Sequence, residues 1–265
     1  MNDSIERVAD ILIRQHYVVC LSGAGMSVES GIRPFRGPGG LWTEFGEPPL
    51  DDYRRFVSDP VGYWRNLLQP QGHYLELYKT LAEAVPHQGY FALAELERQG
   101  VVKHVITQNI DGLHHRAGSK HVTEIHGNYT LCRCVECGTR CERSQVDVST
   151  LPPRCPVCAG IMKSDVVVFG EPIPEDVGRA CSEQVDLADC MLLVGTSAYV
   201  YPAAGFPRHV SAQGGILIEM GPQPTEITEL CDISVQGTAA EVLPQLYDAI
   251  VERVKEPIQP DGTAE

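Results

Sequence analysis

The sequence predicts an α/β protein: a Rossmann-like parallel sheet with helices on both faces, and a smaller lobe made of a Cys₄ zinc ribbon and a helical insertion. Three observations predict it. Short apolar runs alternate with helical patterns along most of the chain, the signature of parallel strands covered by helices. The first of those runs empties into Gly23-Ala24-Gly25, the opening of a nucleotide-binding βα unit. Two Cys-x-x-Cys knuckles, Cys134/Cys137 and Cys155/Cys158, have the spacing of a tetrahedral metal site.

The elements follow in order. Residues 4–16 carry Ile5, Val8, Ala9 and Leu12 on one stripe, a helix with Asp3 or Ser4 as N-cap. Tyr17–Leu21 reads as a buried strand running into Gly-x-Gly and a helix. Further strands are expected at Val101–Thr107, Val122–Ile125, Val166–Phe169, Met191–Val194, Gly215–Met220 and Ile233–Val235. Helices are expected at 89–98, 175–187 and 238–254. Two insertions break the alternation: 34–85, a Pro- and Gly-rich loop leading into helices rich in Tyr and Trp, and 128–164, which holds the knuckles and is too small to fold well without metal. Residues 1–33, 86–127 and 165–254 therefore form the nucleotide-binding domain. The smaller lobe comprises a cofactor loop with helical module (34–85) and a zinc module (128–164), and 255–265 is a flexible tail.

Composition narrows the function. The chain has 265 residues, 43% of them hydrophobic, an ordinary globular balance without a bilayer-spanning stretch. A net charge of −14 argues against nucleic-acid binding and would suit a cationic partner such as a lysine-rich tail. Ten cysteines without a signal-like start favour a reducing, cytoplasmic setting, with paired disulfides as the alternative for the knuckles. Four thiolates leave no open coordination position, so the zinc is expected to be structural. Cys20 and Cys190 lie in apolar runs as small hydrophobes, and Cys132 and Cys141 fall outside the knuckle register.

The chemistry-bearing segments cluster at strand ends. Gly23–Gly25 suits a pyrophosphate over bare backbone, although Val28 occupies the place of a third glycine. Ser30–Trp42 is a glycine-rich loop with Phe35 and two arginines, either a lid over a charged planar cofactor or a surface turn cluster. Thr107-Gln108-Asn109-Ile110-Asp111 ends a strand and offers amides and a carboxylate to ribose and carboxamide groups, although Asp111 is equally an N-cap for a helix beginning at Gly112. His126, at a strand end, has the setting of a general base, although it is one of nine histidines. Gly195-Thr196-Ser197 offers a second phosphate or ribose contact. The extended Val168-Phe169-Gly170-Glu171 can pair with a peptide by strand addition.

These segments, in this order, resemble the sirtuins, the NAD-dependent protein-lysine deacylases, over about residues 15–250. The resemblance rests on Gly23-Ala-Gly-Met-Ser27, Ser30-Gly-Ile, Phe35-Arg36-Gly37, Gly40-Leu-Trp42, Thr107–Asp111, His126-Gly127, the four knuckle cysteines, Val167–Glu171 and Gly195–Ser197. It implies NAD as co-substrate and one structural zinc on Cys134, Cys137, Cys155 and Cys158. NAD contacts would come from Gly23, Ala24, Gly25, Ser27, Phe35, Arg36, Gln108, Asn109, Ile110, Asp111, His126, Gly195, Thr196, Ser197, Gly221 and Ala239. An acyl-lysine protein or peptide would lie along Val168–Glu171, with Asn109 orienting the ribose. The acyl oxygen would attack the ribose as nicotinamide leaves. His126 would then deprotonate a ribose hydroxyl, giving free lysine and O-acyl-ADP-ribose, while Phe35 excludes water.

The family pattern is not met everywhere. Arg33 and Pro34 replace a common proline and an acidic or threonine residue, which predicts a stiffer lid. Gly221 replaces an asparagine, which predicts weaker NAD binding unless Glu219 or backbone groups compensate. Pro86-His87-Gln-Gly-Tyr90 replaces Pro-Asn-x-x-His. No tyrosine of 53–79 has an arginine three positions later, so neutral acyl groups, acetyl first, are expected over succinyl or malonyl, with Arg54, Arg55 and Arg65 the remaining cations near the insertion. ADP-ribosyl transfer and non-catalytic sensing of NAD or ADP-ribose are the alternative activities. Neither membrane nor direct nucleic-acid partners are expected, and no oligomeric state is assigned.

Overall fold

The computed structural model describes residues 2–255. Residues 256–265 of the expected tail lie outside the described residues, and residue 255 ends the last helix. The main sheet is built from β1 (Val18–Ser22), β2 (Val102–Thr107), β3 (Val122–Glu124), β7 (Cys190–Val194), β8 (Ile216–Gly221) and β9 (Ile233–Gln236). These six strands run parallel in the order β3-β2-β1-β7-β8-β9. All five residues of β1 and of β7 are buried, which explains why these strands read as unbroken apolar runs rather than alternating ones. The strand order reverses direction between β1 and β7, and crevices at such a switch point receive ligands in open α/β sheets.

Helices cover both faces. α1 (Asn2–Leu12), α6 (Gln88–Arg98) and α10 (Ala239–Lys255) enclose one core with Val18, Val105, Leu192 and Ile218, and α8 (Glu175–Leu187) and α9 (Gly205–Ala212) enclose the other with Val19, Leu21, Leu193 and Leu217. Pro244 interrupts the ladder of α10 because it has no N–H for the Ala240 carbonyl. The Gln88 amide of α6 donates to that carbonyl at 2.9 Å, so the packing of two helices repairs the gap. Arg253 ties α10 to Glu6 and Asp10 of α1.

The second sheet is antiparallel and three-stranded, made of β4 (Leu131–Cys134), β5 (Arg140–Glu142) and β6 (Met162–Ser164) in the order β5-β4-β6. Four short helices precede it in the chain: α2 (Leu41–Phe45), α3 (Asp52–Ser58), α4 (Pro60–Leu68) and α5 (His73–Glu83). A third apolar cluster joins this insertion to the sheet, with Trp64 and Leu67 of α4 on Cys132, Cys134 and Met162. Trp64 is fully buried, and its indole N–H donates to the Met162 carbonyl at 2.7 Å. A buried indole needs such a partner, and here it aligns the insertion on the metal-bearing sheet.

Several expectations are corrected. The first helix spans Asn2–Leu12, which places Asp3 and Ser4 inside its first turn rather than at a cap. After β1 the chain forms a 3₁₀ helix over Ala24–Ser30, not an α-helix. The helix expected to begin at Gly112 is α7 (Leu113–Ala117), with left-handed Gly112 before it. Val166–Phe169 is not a strand: the Val167 N–H bonds to His126 O, and residues 168–171 turn back on themselves through Glu171 N–H to Val168 O. Helix α9 was not anticipated, its apolar stripe being obscured by Gly205 and Pro207 in the first turn.

Replacing Trp64 by Phe should cost about 1–3 kcal/mol through the lost donor to the Met162 carbonyl. Urea unfolding of the metal-loaded protein measures it, and an unchanged midpoint would show that the indole N–H does not align the two pieces.

Candidate functional site

The site grows from two loops at the carboxyl edge of β1 and β7. Gly25 N–H donates to Gly195 O at 2.8 Å, and Gly23 N–H to Val194 O at 3.0 Å. A Cβ on Gly25 would lie 2.7 Å from Gly195 Cα, and one on Gly195, whose φ is 58°, would lie 2.3 Å from Met26 N. The glycines are therefore dictated first by contact between the two loops. The Gly23 and Gly25 N–H groups are both bonded to the facing chain, and the two loops leave a floor bare of side chains.

Beneath that floor lies a buried polar bed. The Asn109 amide nitrogen donates to Gly23 O and to Ser27 Oγ, both at 2.9 Å. Because the Gly23 carbonyl can only accept, this contact fixes which end of the amide is nitrogen. Ser27 Oγ donates to Asp111 at 2.7 Å and meets the Tyr90 hydroxyl at 2.8 Å. Asp111 also accepts the Leu113 N–H. Burial raises the Asp111 carboxyl above its ordinary range, against these donors. Half-buried His87 and buried His114 are structural: His87 meets Met26 O and caps α6, and His114 meets Ser22 Oγ while burial depresses it to about 3.

A second chain of contacts orients His126. Gln108 donates its side-chain amide to Thr196 Oγ1 at 2.7 Å, and its backbone carbonyl lies 3.0 Å from His126 Nδ1. A carbonyl accepts only, so Nδ1 carries the proton and Nε2 keeps a free lone pair. Burial lowers the His126 pKa below 6.5, partly opposed by the Gln108 carbonyl, and the ring is held neutral.

Gly23, Ala24, Gly25, Phe35, Arg36, Gln108, Asn109, Ile110, His126, Gly195, Thr196, Ser197 and Gly221 all line one cleft, together with Val168, Phe169, Gly170 and Glu171. Its volume of about 1520 Å³ exceeds the roughly 300–1,000 Å³ of a single drug-sized pocket. Ser27 and Asp111 lie under the floor rather than on it. Ala239 is not brought to the cleft: it is buried at the start of α10, its carbonyl against Gly89. The Glu171 carboxylate does not face the cleft either, being held by Arg133 and Lys163. Glu219 accepts from the hydroxyls of Thr225, Thr228 and Ser234, so it is already committed beside Gly221. The loop at 33–47 is latched: Arg33 pairs with Glu44, and Arg36 pairs with Glu47 while lying over the rings of Trp42 and Tyr199.

Sequence reasoning passed over Tyr199–Pro202 and Pro222–Glu226, which complete the cleft wall. Their signal was positional, since both follow strands at the carboxyl edge. It also left open the cations of the insertion. None of Arg54, Arg55 and Arg65 lines the cleft: Arg54 and Arg55 are exposed and paired with Asp51, and Asp52 with Tyr74 and Tyr78 lines it instead.

Away from the cleft, Cys134, Cys137, Cys155 and Cys158 bring their sulfurs within 4.8 Å of one another. Sγ separations of 3.5 Å (Cys134 to Cys158) and 3.7 Å (Cys137 to Cys155) are near the edge of about 3.8 Å implied by Zn–S bonds of about 2.3 Å. A disulfide would need about 2.05 Å. Backbone N–H groups of Val157 and Gly160 point at Cys155 and Cys158, as suits thiolates. The four residues fit a closed tetrahedral zinc site, with Cys132 and Cys141 outside it as cross-strand partners.

A Rossmann-type crevice holding an oriented, neutral imidazole, in a chain that also carries a Cys₄ metal site, fits a dinucleotide-dependent enzyme class. The sequence model of the Sir2 family matches residues 23–202, and the chain belongs to that family. It is 42% identical to NAD-dependent protein deacylase 2 of Pyrobaculum aerophilum, over 94% of this chain and 96% of that protein. It is 40% identical to the NAD-dependent protein deacylase of Pyrococcus furiosus, over 92% and 96%. A solved complex of a Sir2 homologue with NAD matches at a TM-score of 0.79 and 36% identity, covering 94% of each chain. One of Sir2 with a p53 peptide and NAD⁺ matches at 0.75 and 31%, over 92% of this chain and 97% of that one.

Cys134→Ser, or stripping metal with a strong chelator, should lower bound zinc from one per chain and melt the second sheet ahead of the parallel one. Metal analysis with a thermal melt reads this, and a metal-free protein with an unaltered melt would sink the structural role.

Proposed function

We propose that this Sir2-family chain is an NAD-dependent protein deacylase that removes acyl groups from lysine side chains. The observation that carries the reading is the His126 imidazole, fixed by Gln108 as a neutral base with a free Nε2, in the same cleft as the glycine floor and the peptide-facing turn. NAD supplies a glycosidic bond whose cleavage releases nicotinamide and leaves an electrophilic ribose carbon. The residues do the rest. Gly23, Gly25 and Gly195 keep the floor open to the pyrophosphate, and Thr196, Ser197 and Gly221 border the adenosine side. Asn109, pinned through its nitrogen, presents its carbonyl oxygen to a ribose hydroxyl. Phe35 and Trp42, with ring centroids 4.6 Å apart, wall off water. His126 Nε2 takes a proton from a ribose hydroxyl so that the acyl group transfers off lysine.

The structural zinc and the peptide edge at Val168–Gly170 complete the assignment. The substrate is an acyl-lysine protein or peptide, and a net charge of −14 suits lysine-rich segments. A reducing compartment, the cytoplasm, suits a chain whose ten cysteines are all unbridged. Among the described residues no helix is long and apolar enough to cross a membrane.

His126→Ala should cut deacylation by about 10²- to 10⁴-fold. In the wild type the base must be neutral, and because the folded pKa is depressed, kcat/KM should hold through pH 6.5 and fall only at lower pH. A rate profile bending at or above 6.5 would count against His126 as the base. Labelled ADP-ribose fixed on protein, with no deacylated peptide, would replace the deacylase reading with ADP-ribosyl transfer.

Acyl preference follows from the cleft wall. With Asp52 lining the cleft beside Tyr74 and Tyr78, and Arg54, Arg55 and Arg65 all outside it, a succinyl or malonyl carboxylate meets no counter-ion on that side. Acetyl-lysine should be turned over faster than succinyl-lysine in a panel on one peptide, and the reverse order would overturn this.

A further inference from the structure

The turn that lines the cleft at residues 166–171 is held from behind by a buried charge cluster the reaction does not use. Arg133 of β4 and Lys163 of β6 are direct cross-strand partners, two cations opposite each other on neighbouring strands. Like charges so placed repel unless an anion lies between them. Glu171 bridges the two: one carboxylate oxygen accepts Arg133 at 2.7 Å and the other lies 3.0 Å from Lys163 Nζ, while a second buried carboxylate, Asp165, lies 3.3 Å from Arg133 alone. Lys163 and Glu171 are almost fully buried, with side-chain exposures of 1% and 3%. Their remaining bonds reach the turn itself. Lys163 Nζ donates to the carbonyls of Ser164 (2.8 Å) and Val166 (2.6 Å), and the second Glu171 oxygen accepts the Val168 N–H at 3.0 Å.

We propose that Lys163, Arg133 and Glu171 are positioning residues for the peptide substrate, clamping the backbone of residues 166–168 from the side away from the cleft. The metal-held sheet thereby sets the shape of the edge that receives the acyl-lysine chain. Arg133 is adjacent to Cys134, and the residue paired with Cys134 in β6 is Met162, next to Lys163, so the two cations sit one register step from a metal ligand. From the other side, Tyr53 N–H donates to Phe169 O at 3.0 Å, holding the turn against the helical insertion. Lys163 and Glu171 bond to the turn and Arg133 to Glu171 and Asp165, none of them to the Gly23–Gly25 and Gly195 floor, so their effect should fall on peptide and not on NAD. The inference rests on the deacylase reading above.

The experiment is steady-state kinetics of zinc-loaded Lys163→Met, Glu171→Gln and the double variant, with an acetyl-lysine peptide and NAD varied in turn. Glu171→Gln leaves the buried Lys163 without its carboxylate, and Lys163→Met removes the bonds to the Ser164 and Val166 carbonyls, so each should raise peptide KM by about tenfold or more while NAD KM stays within about twofold. The double variant removes both charges, and the amide oxygen that Glu171→Gln introduces still accepts the Val168 N–H. It should recover part of the loss but stay several-fold above wild type, because the Lys163 bonds to Ser164 and Val166 are gone. Peptide and NAD constants rising together, or a peptide KM equal to wild type in every variant, overturns the clamp. Should the single variants not fold, the double variant decides by the same criterion. Wild-type protein that neither binds nor deacylates the peptide overturns both this inference and the reading beneath it, whereas active wild type with indifferent variants overturns the clamp alone.

Discussion

Two parallel strands that diverge at the centre of a sheet leave a crevice between the loops that follow them. In this chain the loops after β1 and β7 close onto each other until backbone meets backbone, at Gly25 and Gly195. No side chain fits in that contact, and a methyl group on either residue would lie within 2.7 Å or less of the facing loop. The floor of the cleft is therefore peptide groups bonded to one another. Its position fixes the next layer, because Gly23 O anchors Asn109 and Thr196 anchors Gln108. Gln108 in turn anchors His126. An imidazole, an amide and a bare floor are thus held in one register by consecutive hydrogen bonds.

Electrostatics reinforce that registration. The protein as a whole is strongly acidic, yet the acid beside the floor, Asp111, is buried beneath it and satisfied by Ser27 and the Leu113 N–H. Arg36, the arginine on the cleft wall, is held over two rings and paired with Glu47. Desolvation keeps both His126 and His114 neutral, with opposite consequences. His114 is enclosed among Ser22 and Tyr90 and serves packing. His126 opens on the cleft, where a neutral ring is a usable base.

How much of this could be read in the chain depended on the range of the interaction. Strands β1, β2, β7, β8 and β9 were legible because buried parallel strands are written as continuous apolar runs. The four metal ligands were legible because a tetrahedron edge is spanned by a Cys-x-x-Cys knuckle. His126, Gln108 and Asn109 were legible as strand-end polar residues. Ala239 was misplaced because nothing local distinguishes a cleft residue from a core residue at a helix start. Val166–Phe169 was misread as a strand because its apolar run forms a turn whose N–H groups go to His126 O and Glu171. The contact between Gly25 and Gly195 was not legible because the two lie far apart along the chain, each glycine visible but not their approach.

The metal-bearing sheet is the piece with the least apolar material, and its contribution to the cleft is mechanical. A three-stranded sheet of short strands cannot hold two opposed cations and a buried carboxylate by hydrophobic burial alone, since every buried ion there carries a desolvation cost. The four thiolates fix the end of β4 and the loop before β6, and Trp64 fixes the insertion to β6. With those ends held, Arg133, Lys163 and Glu171 can meet in a geometry good enough to offset their burial, and the turn at 166–170 is drawn into place as a consequence. The same turn takes up the His126 carbonyl through the Val167 N–H. The turn on the cleft wall and the imidazole in the cleft are thus one hydrogen bond apart, and a shift in the second sheet would reach both.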